Sequence, residues 1–249
     1  MKLKRFFIVL CTLWGISSGC GDGCRFTDIE WTSEHLIDEY VLVDRINLWN
    51  GVDKSKYVEL KFIPKKYYPS RELLNEHLRW GFDRPFFRYA DVKYQESDVE
   101  VFNELSLKHD NVGFSRIKSY DAFADDRGRP TGPCEAIYEY QALSRGIKYI
   151  EVTSDRDFND IKAGCSLRDV VNLRCLSFSA VLKRKVEESM LVISKSLSQF
   201  TEEDLEIVGS EVASISFIEK PADSQEYNFT VTITFDDGEV VSDSVQVVF

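Results

Sequence analysis

The sequence has little of what hydrolytic and metal-dependent enzymes need. It has only 3 histidines in 249 residues, and His35, His77 and His109 lie in three different segments. No H-E-x-x-H, G-x-S-x-G or P-loop pattern occurs, and no C-x-x-C pair has a second pair to complete a structural zinc site. We therefore expect no enzymatic activity, no cofactor and no metal site, and we interpret the histidines as surface or boundary residues.

Positive charge and chain-breaking residues are also scarce. There are 31 Lys and Arg against 42 Asp and Glu, and only 6 Pro and 13 Gly in a chain that is 43% hydrophobic. Nucleic acids and anionic membrane surfaces reward clustered Lys and Arg, so we expect neither as a partner. The apolar fraction predicts a folded body and not a disordered chain.

No apolar run is long enough to span a bilayer, which takes roughly 20 residues. The longest lies at the N-terminus, where Lys2, Lys4 and Arg5 precede the apolar run 6–14 and a small-residue stretch leads to Cys20. This order is typical of a signal peptide over residues 1–19. Its removal takes away three positive charges and leaves 28 basic against 42 acidic residues.

A cysteine directly after small residues predicts a lipoprotein in which the Cys20 thiol is acylated. Ser17 stands where this pattern usually has Leu, and Ser17 with Gly19 also suits ordinary signal peptidase. A secreted soluble form is therefore the alternative to an outer-membrane lipoprotein. We expect residues 20–26 to form a lipid-anchored tether. Its residues 21–23 carry neither a plain retention signal nor an acidic surface-export run, which leaves both periplasmic and surface-facing orientations open.

Four cysteines remain besides Cys20, and four cysteines in an oxidising compartment allow three pairings. We predict a disulfide between Cys24 and Cys134 that ties the tether to the start of the C-terminal half. Cys165 and Cys175 would then be reduced or paired with each other. Free buried cysteines that act as small apolar residues are the alternative.

Extended segments dominate the rest of the chain. The clearest is 227–235, where five apolar residues alternate with Asn228 and three threonines, which predicts a strand with one buried face. The turn residues 236–238 then predict a tight hairpin. Further strands are predicted at Tyr40–Leu48, Tyr57–Pro64, Phe87–Tyr94, Val99–Leu107, Cys134–Ala142, Ile147–Thr153, Leu173–Leu182, Met190–Leu197 and Ile215–Ile218.

Helical signals are few and short. Ser70 caps a predicted helix that ends at Trp80, Thr201 begins another, and Ser166–Val171 suggests a single turn. Many strands with minor helices predict a mainly β fold, an immunoglobulin-like or related β-sandwich. We expect a globular body over 27–249, and the loop 125–133 is the best candidate for a boundary between two halves.

One segment resembles a known family. In the lettering of the sequence it reads IKYIEVTSDRDFN at 147–159, followed by AG at 163–164 and SLRD at 166–169. It is similar to a pattern of uncharacterised secreted lipoproteins of Bacteroidetes, and residues 217–221 and 227–238 resemble their closing strands. The departures are Ser17 and Cys165. The resemblance implies a cell-envelope lipoprotein and brings no catalytic residues.

Two local patterns suggest binding. Asp155, Asp157 and Asn159 resemble the start of a calcium loop, but Asp160 and Ser166 replace the glycine and glutamate that such a loop needs, so we expect an Asx turn. The aromatic stretch 80–89 could present Trp80, Phe86 and Tyr89 to a glycan or a protein, although core packing is the more ordinary role.

Together these patterns predict a lipid-anchored envelope protein that binds or scaffolds without catalysis. The expected partners are the membrane, through the lipid, and a glycan or an envelope protein. The alternative function is a glycan-binding accessory protein of a polysaccharide-utilisation system.

Overall fold

A computed structural model describes residues 25–51, 57–80, 94–114, 116–124, 140–183, 191–211, 213–221 and 225–249. Side chains are described in these ranges except at 25–32, 76–80 and 116–124. The strands are β1 Arg25–Ser33, β2 Glu39–Asn50, β3 Tyr57–Pro69, β4 Arg116–Ala124, β5 Gln141–Leu143, β6 Ile147–Ser154, β7 Val171–Leu176, β8 Val192–Ser196, β9 Ala213–Phe217, β10 Glu226–Phe235 and β11 Val240–Val248. The helices are α1 Arg71–Trp80, α2 Glu96–Lys108, α3 Ser179–Leu182 and α4 Glu202–Glu206.

The described strands form three sheets. Six strands form one sheet in the order β5-β2-β3-β9-β7-β8, three form a second in the order β11-β10-β6, and β1 pairs with β4. All strand pairs are antiparallel except β2 with β5. Buried side chains from both larger sheets belong to a single apolar core. The prediction of a mainly β, sandwich-like fold is confirmed.

The strands of the six-stranded sheet come from both sides of the predicted boundary at 125–133. β2 and β3 precede it, whereas β5, β7, β8 and β9 follow it. The boundary residues themselves lie outside the described residues. β1 begins at Arg25, within the segment 20–26 that we expected to be a tether, and its first residue pairs with Ala124.

The C-terminal hairpin forms as its alternation predicts. Phe229, Val231 and Ile233 are each at most 1% exposed, and each pairs with β6 on one side and β11 on the other. At the turn Gly238 has φ +88°, a left-handed conformation that favours glycine because it has no Cβ. The chain therefore ends inside its own sheet.

The helix caps also agree with the sequence. In α4 the backbone N–H of Asp204 donates to Thr201 Oγ1 at 3.2 Å, and the Thr201 N–H donates to Asp204 Oδ2 at 2.7 Å. This reciprocal pair is a capping box. At α1 the Leu73 N–H donates to Ser70 Oγ at 3.1 Å. The predicted turn near Ser166 is present, since the Val170 N–H donates to the Leu167 carbonyl.

The predicted strand at Val99–Leu107 is wrong, because this segment belongs to α2. Its buried residues Val99, Phe102 and Ser106 follow helical spacing. The Gln95 N–H donates to Asp98 Oδ2 at 2.9 Å and so caps the first turn.

The predicted strand at Leu173–Leu182 is correct only in its first half. β7 ends at Leu176, and α3 follows after two residues. Phe178, Val181 and Leu182 are buried at the i, i+3, i+4 spacing of a helix. Strands β1 and β4 were not predicted. The predicted strand at 87–94 lies outside the described residues except for Tyr94.

Candidate functional site

The outer face of the three-stranded sheet carries hydroxyl side chains in rows that cross the strands. In the register, Thr230 pairs with Thr153 and Ser244, Thr232 pairs with Glu151 and Ser242, and Thr234 pairs with Tyr149 and Val240. The threonines alternate with buried core residues along β10. We call this surface the hydroxyl face and define it by Thr153, Thr230, Thr232, Thr234, Ser242 and Ser244.

The spacing of the hydroxyl face follows from strand geometry. Successive same-face residues of a strand lie about 6.8 Å apart, and neighbouring strands about 4.8 Å apart. Thr230 Oγ1 and Ser244 Oγ share a hydrogen bond of 2.8 Å. Within the described part of the chain, the hydroxyls of Thr153, Thr232, Thr234 and Ser242 form no hydrogen bond. These four hydroxyls are neutral groups that can donate to and accept from a ligand.

An aromatic ring lies at one end of the hydroxyl face. Tyr149 is 40% exposed, and its hydroxyl donates to Glu151 Oε2 at 2.9 Å. The guanidinium of Arg168 stacks over the ring at 4.2 Å from its centre and donates through Nη2 to the Leu197 carbonyl at 3.2 Å. The ring is thus held by Glu151 and Arg168 beside the threonine rows.

In the loop that resembles a calcium site, aspartate side chains accept from backbone N–H groups, as predicted, but over longer separations than an Asx turn has. Asp157 Oδ1 accepts from the Ala163 N–H at 2.9 Å, and Asp157 Oδ2 pairs with Lys162 Nζ at 2.6 Å. Asp155 Oδ1 accepts from the Asn228 N–H at 2.9 Å. These carboxylates therefore bind groups of the protein itself. Among the described residues no group of three His, Cys, Asp or Glu side chains could hold a metal ion.

A second cluster of polar side chains is buried where α2 packs on β2. Asn111, which is fully buried, accepts through Oδ1 from the N–H groups of Leu36 and Ile37, both at 2.9 Å, and donates through Nδ2 to the Ile37 carbonyl at 2.9 Å. The Asn111 side-chain amide therefore pairs with backbone N–H and carbonyl groups just before β2, as a neighbouring strand would.

Two buried carboxylates lie on the same two elements, Glu39 on β2 and Asp98 on α2. Glu39 is 1% exposed and accepts from Tyr94 Oη at 2.7 Å and from Gln141 Nε2. Asp98 is 2% exposed and forms an ion pair with Lys66 Nζ at 2.6 Å. Buried charges are tolerated when they are paired or hydrogen-bonded. Asp98 therefore joins α2 to β3 through Lys66, and Glu39 joins β2 to β5 through Gln141.

Two of the three histidines lie in this cluster, so our interpretation of them as surface or boundary residues is only partly correct. The His35 ring lies 5.0 Å from Phe102, and its Nδ1 lies 3.7 Å from Glu72 Oε2. His109 is 7% exposed, and its ring lies 5.9 Å from Tyr40. Burial lowers the pKa of His109 and raises that of Tyr40 well above its usual range. No local motif joins these residues, which explains why the sequence did not reveal them.

Comparisons of the chain with protein-family models, with curated proteins and with solved structures each found no match. The function must therefore be inferred from the residues and their geometry.

The residues predicted to carry function fall largely outside the described residues. This is so for the lipidation site Cys20, for both disulfide candidates Cys24 and Cys134, and for Phe86 and Tyr89. Trp80 is the last residue of α1, and its side chain is not among the described ones. Within the described part of the chain, no helix is long and apolar enough to cross a membrane.

The two described cysteines are both free, and they differ in environment. Cys165 is exposed and Cys175 is buried. Cys175 lines an apolar cavity between the two larger sheets together with Phe62, Ile150 and Ile233. Burial raises the pKa of the Cys175 thiol to about 12. The neutral thiol is a poor nucleophile and acts there as a small apolar group.

Proposed function

We propose that this chain is a lipid-anchored cell-envelope protein that works as a non-enzymatic binding or scaffolding module, with the hydroxyl face as its binding surface. The observation that carries the proposal is the arrangement of Thr153, Thr232, Thr234 and Ser242 as free hydroxyls on one sheet face beside the ring of Tyr149. The buried polar groups, in contrast, are used to hold elements of the fold together.

The proposed anchor is the Cys20 thiol. Cys20 precedes the first residue of β1 by five residues, and five extended residues reach at most about 18 Å. An acyl chain at Cys20 would therefore hold the β-sheet body close to the membrane surface. A single acyl chain binds only marginally, whereas the several chains of a lipoprotein anchor stably.

The chemistry of the hydroxyl face favours a glycan as the ligand. Its rows carry mostly hydroxyl side chains, and the one carboxylate among the described residues of these rows, Glu151, already accepts from Tyr149. Hydroxyl groups that both donate and accept are matched by other hydroxyl groups. Exposed tyrosine rings add an apolar face with a polar edge, which suits a sugar ring. A neutral polysaccharide chain is thus the ligand that the surface fits best.

Metabolic labelling with a palmitate analogue tests the anchor. We expect label on the wild-type protein and none on Cys20→Ala, because the substitution removes the acylated sulfur. Equal labelling of both proteins would contradict the lipid anchor. An unlabelled wild-type protein in the culture medium would point to the soluble secreted form.

Binding to neutral polysaccharides tests the surface. Soluble β-glucan, mannan and xylan are suitable probes in affinity electrophoresis, with polygalacturonate as the charged comparison. The double variant Thr232→Val with Ser242→Ala removes two free hydroxyls. We expect about tenfold weaker binding, since each hydrogen bond contributes about 0.5–1.5 kcal/mol.

A matched control is available on the other sheet. Ser194 is an exposed serine in β8, and Ser194→Ala should leave binding unchanged. Equal effects of Ser194→Ala and Ser242→Ala would show that the hydroxyl face is not the site. Binding to none of the neutral polymers would refute the glycan assignment while leaving the labelling result untouched.

The aromatic residues Trp80, Phe86 and Tyr89 remain a second predicted glycan surface. Alanine substitutions at these positions, tested against the same polymers, would separate this surface from the hydroxyl face.

A further inference from the structure

His109 lies at the carboxyl end of α2, in the turn that connects this helix to Asn111. Its backbone N–H donates to the Leu105 carbonyl at 3.0 Å and so closes the helix. The residue is 7% exposed, and Nδ1 is buried without a hydrogen-bond partner in the described part of the chain. The imidazole is therefore packed as an apolar ring against Tyr40, 5.9 Å away.

The turn at His109 holds α2 to the rest of the fold. Phe102 of α2 is fully buried, and its ring lies 5.5 Å from that of Tyr40. Two residues after His109, Asn111 binds the backbone of Leu36 and Ile37. A disturbance at His109 would therefore reach both the helix and the segment that leads into β2.

The charged groups around His109 largely compensate one another. Lys108 Nζ lies 4.0 Å from Asp236 Oδ2, and Lys183 Nζ lies 2.6 Å from Glu206 Oε2. Asp110, which is exposed, adds one further carboxylate on the same turn. The two lysines disfavour a charged ring and the carboxylates favour it, but burial is the largest influence and lowers the pKa of His109.

Protonation would place an unpaired charge in this packed site. Both ring nitrogens of a charged histidine carry a proton, and the described residues supply no acceptor for Nδ1. The partial negative charge at the end of α2 favours a cation, but its effect is smaller than the cost of burying an unpaired charge. The charged ring must therefore move towards water, and the turn must move with it.

We propose that His109 is a pH-operated latch that keeps α2 and the Asn111 turn docked on β2 while the ring is neutral and releases them when the surrounding medium becomes mildly acidic. The direction of this pH effect follows from the difference in proton binding between the two states. The unfolded or released segment has the higher histidine pKa, so it binds more protons than the docked state. Docking is thus complete above the ordinary histidine pKa of about 6.5 and weakens as the pH falls below it.

Hydrogen exchange of the whole protein, measured by mass spectrometry at about pH 7.5 and about pH 5 and corrected for the intrinsic exchange rate, tests the latch. These values bracket the range in which histidines change charge. We expect amide protection across α2 to fall by about tenfold at the lower pH, because the released state binds the additional proton. Protection of β10, which lies in the other sheet, should change much less.

Two variants make the result specific. His109→Gln removes the titrating ring and should keep α2 protected at both pH values. His35→Gln is the matched control, because His35 also packs on Phe102 but has Glu72 beside its Nδ1, and it should respond to pH like the wild type.

Three outcomes would overturn the latch: unchanged α2 protection at the lower pH, an equal loss in His109→Gln, or a simultaneous loss across β10 that marks global unfolding. If His109→Gln does not fold, an NMR titration of the wild-type His109 ring decides the question. A ring that titrates at or above the ordinary histidine value contradicts the proposal, and one that titrates below it together with the α2 amide signals supports it.

Discussion

The guanidinium of Arg145 lies 4.2 Å from the centre of the Phe235 ring and bridges the two larger sheets. Its Nη2 donates to the Val43 carbonyl of β2 at 3.0 Å, and its Nη1 binds Asp237 Oδ2 at 3.0 Å and Glu239 in the β10–β11 hairpin. The side chain is only 10% exposed. Arg145 therefore connects β2 of the six-stranded sheet to the β10–β11 turn of the three-stranded sheet.

We expect Arg145→Lys to destabilise the protein by about 1–3 kcal/mol in urea unfolding. Lysine keeps the charge but has no planar group to stack on Phe235, and its compact ammonium does not reproduce the spread fork of donors that a guanidinium presents to its three partners. Arg45→Lys is the control, since the Arg45 side chain is 69% exposed and, among the described residues, forms its one ion pair with the neighbouring Asp44. A loss no larger than that of the control would mean that Arg145 does not connect the sheets energetically.

The two faces of β10 should respond differently to truncation. Ile233 is fully buried between the sheets, so Ile233→Ala should cost about 2–5 kcal/mol. Thr232 faces outward, and Thr232→Ala should cost under about 1 kcal/mol. Chemical denaturation of the two variants measures the difference. Similar losses would indicate that the outer face is also covered.

The part of the fold that sequence could predict is the part set by local patterns. The alternation of 227–235, the turn at Gly238 and the cap at Thr201 each depend on neighbouring residues. The cluster beneath α2 does not depend on neighbouring residues, because Asn111 binds a backbone segment 75 residues away. The hydroxyl face could be predicted only in its hairpin rows, because β6, which completes it, comes from a distant part of the chain.

Removing the Asn111 side-chain amide should weaken the attachment of the segment before β2 and lower the stability of the protein. Asn111→Ala leaves two buried N–H groups and one carbonyl without partners, and unsatisfied buried groups cost about 1–3 kcal/mol each. We expect a loss of about 3 kcal/mol or more in thermal or urea unfolding, which is the lower end of the summed cost of three groups. Asn103→Ala on the exposed side of α2 is the matched control and should change stability by under about 0.5 kcal/mol.

The two described cysteines should differ strongly in reactivity. Iodoacetamide followed by peptide mass spectrometry should modify the exposed Cys165 readily in the folded protein. Cys175 should react only after denaturation, because its thiol is buried and its pKa is raised to about 12. Rapid modification of Cys175 without unfolding would indicate that the core between the sheets opens easily.

The disulfide between Cys24 and Cys134 stays a prediction, because both cysteines lie outside the described residues. Cys24 immediately precedes Arg25, which pairs with Ala124 at the end of β4, and Cys134 follows Ala124 by ten residues. The bridge would close a loop of about a hundred residues and stabilise the protein by about 4 kcal/mol in the chain-entropy estimate.

Non-reducing peptide mapping should show one cross-linked peptide that contains both cysteines. Reduction, or Cys134→Ser, should lower the melting temperature, whereas Cys165→Ser should not. Detection of both thiols in the free form after export would refute the bridge, and the β1–β4 pair would then depend on its own hydrogen bonds.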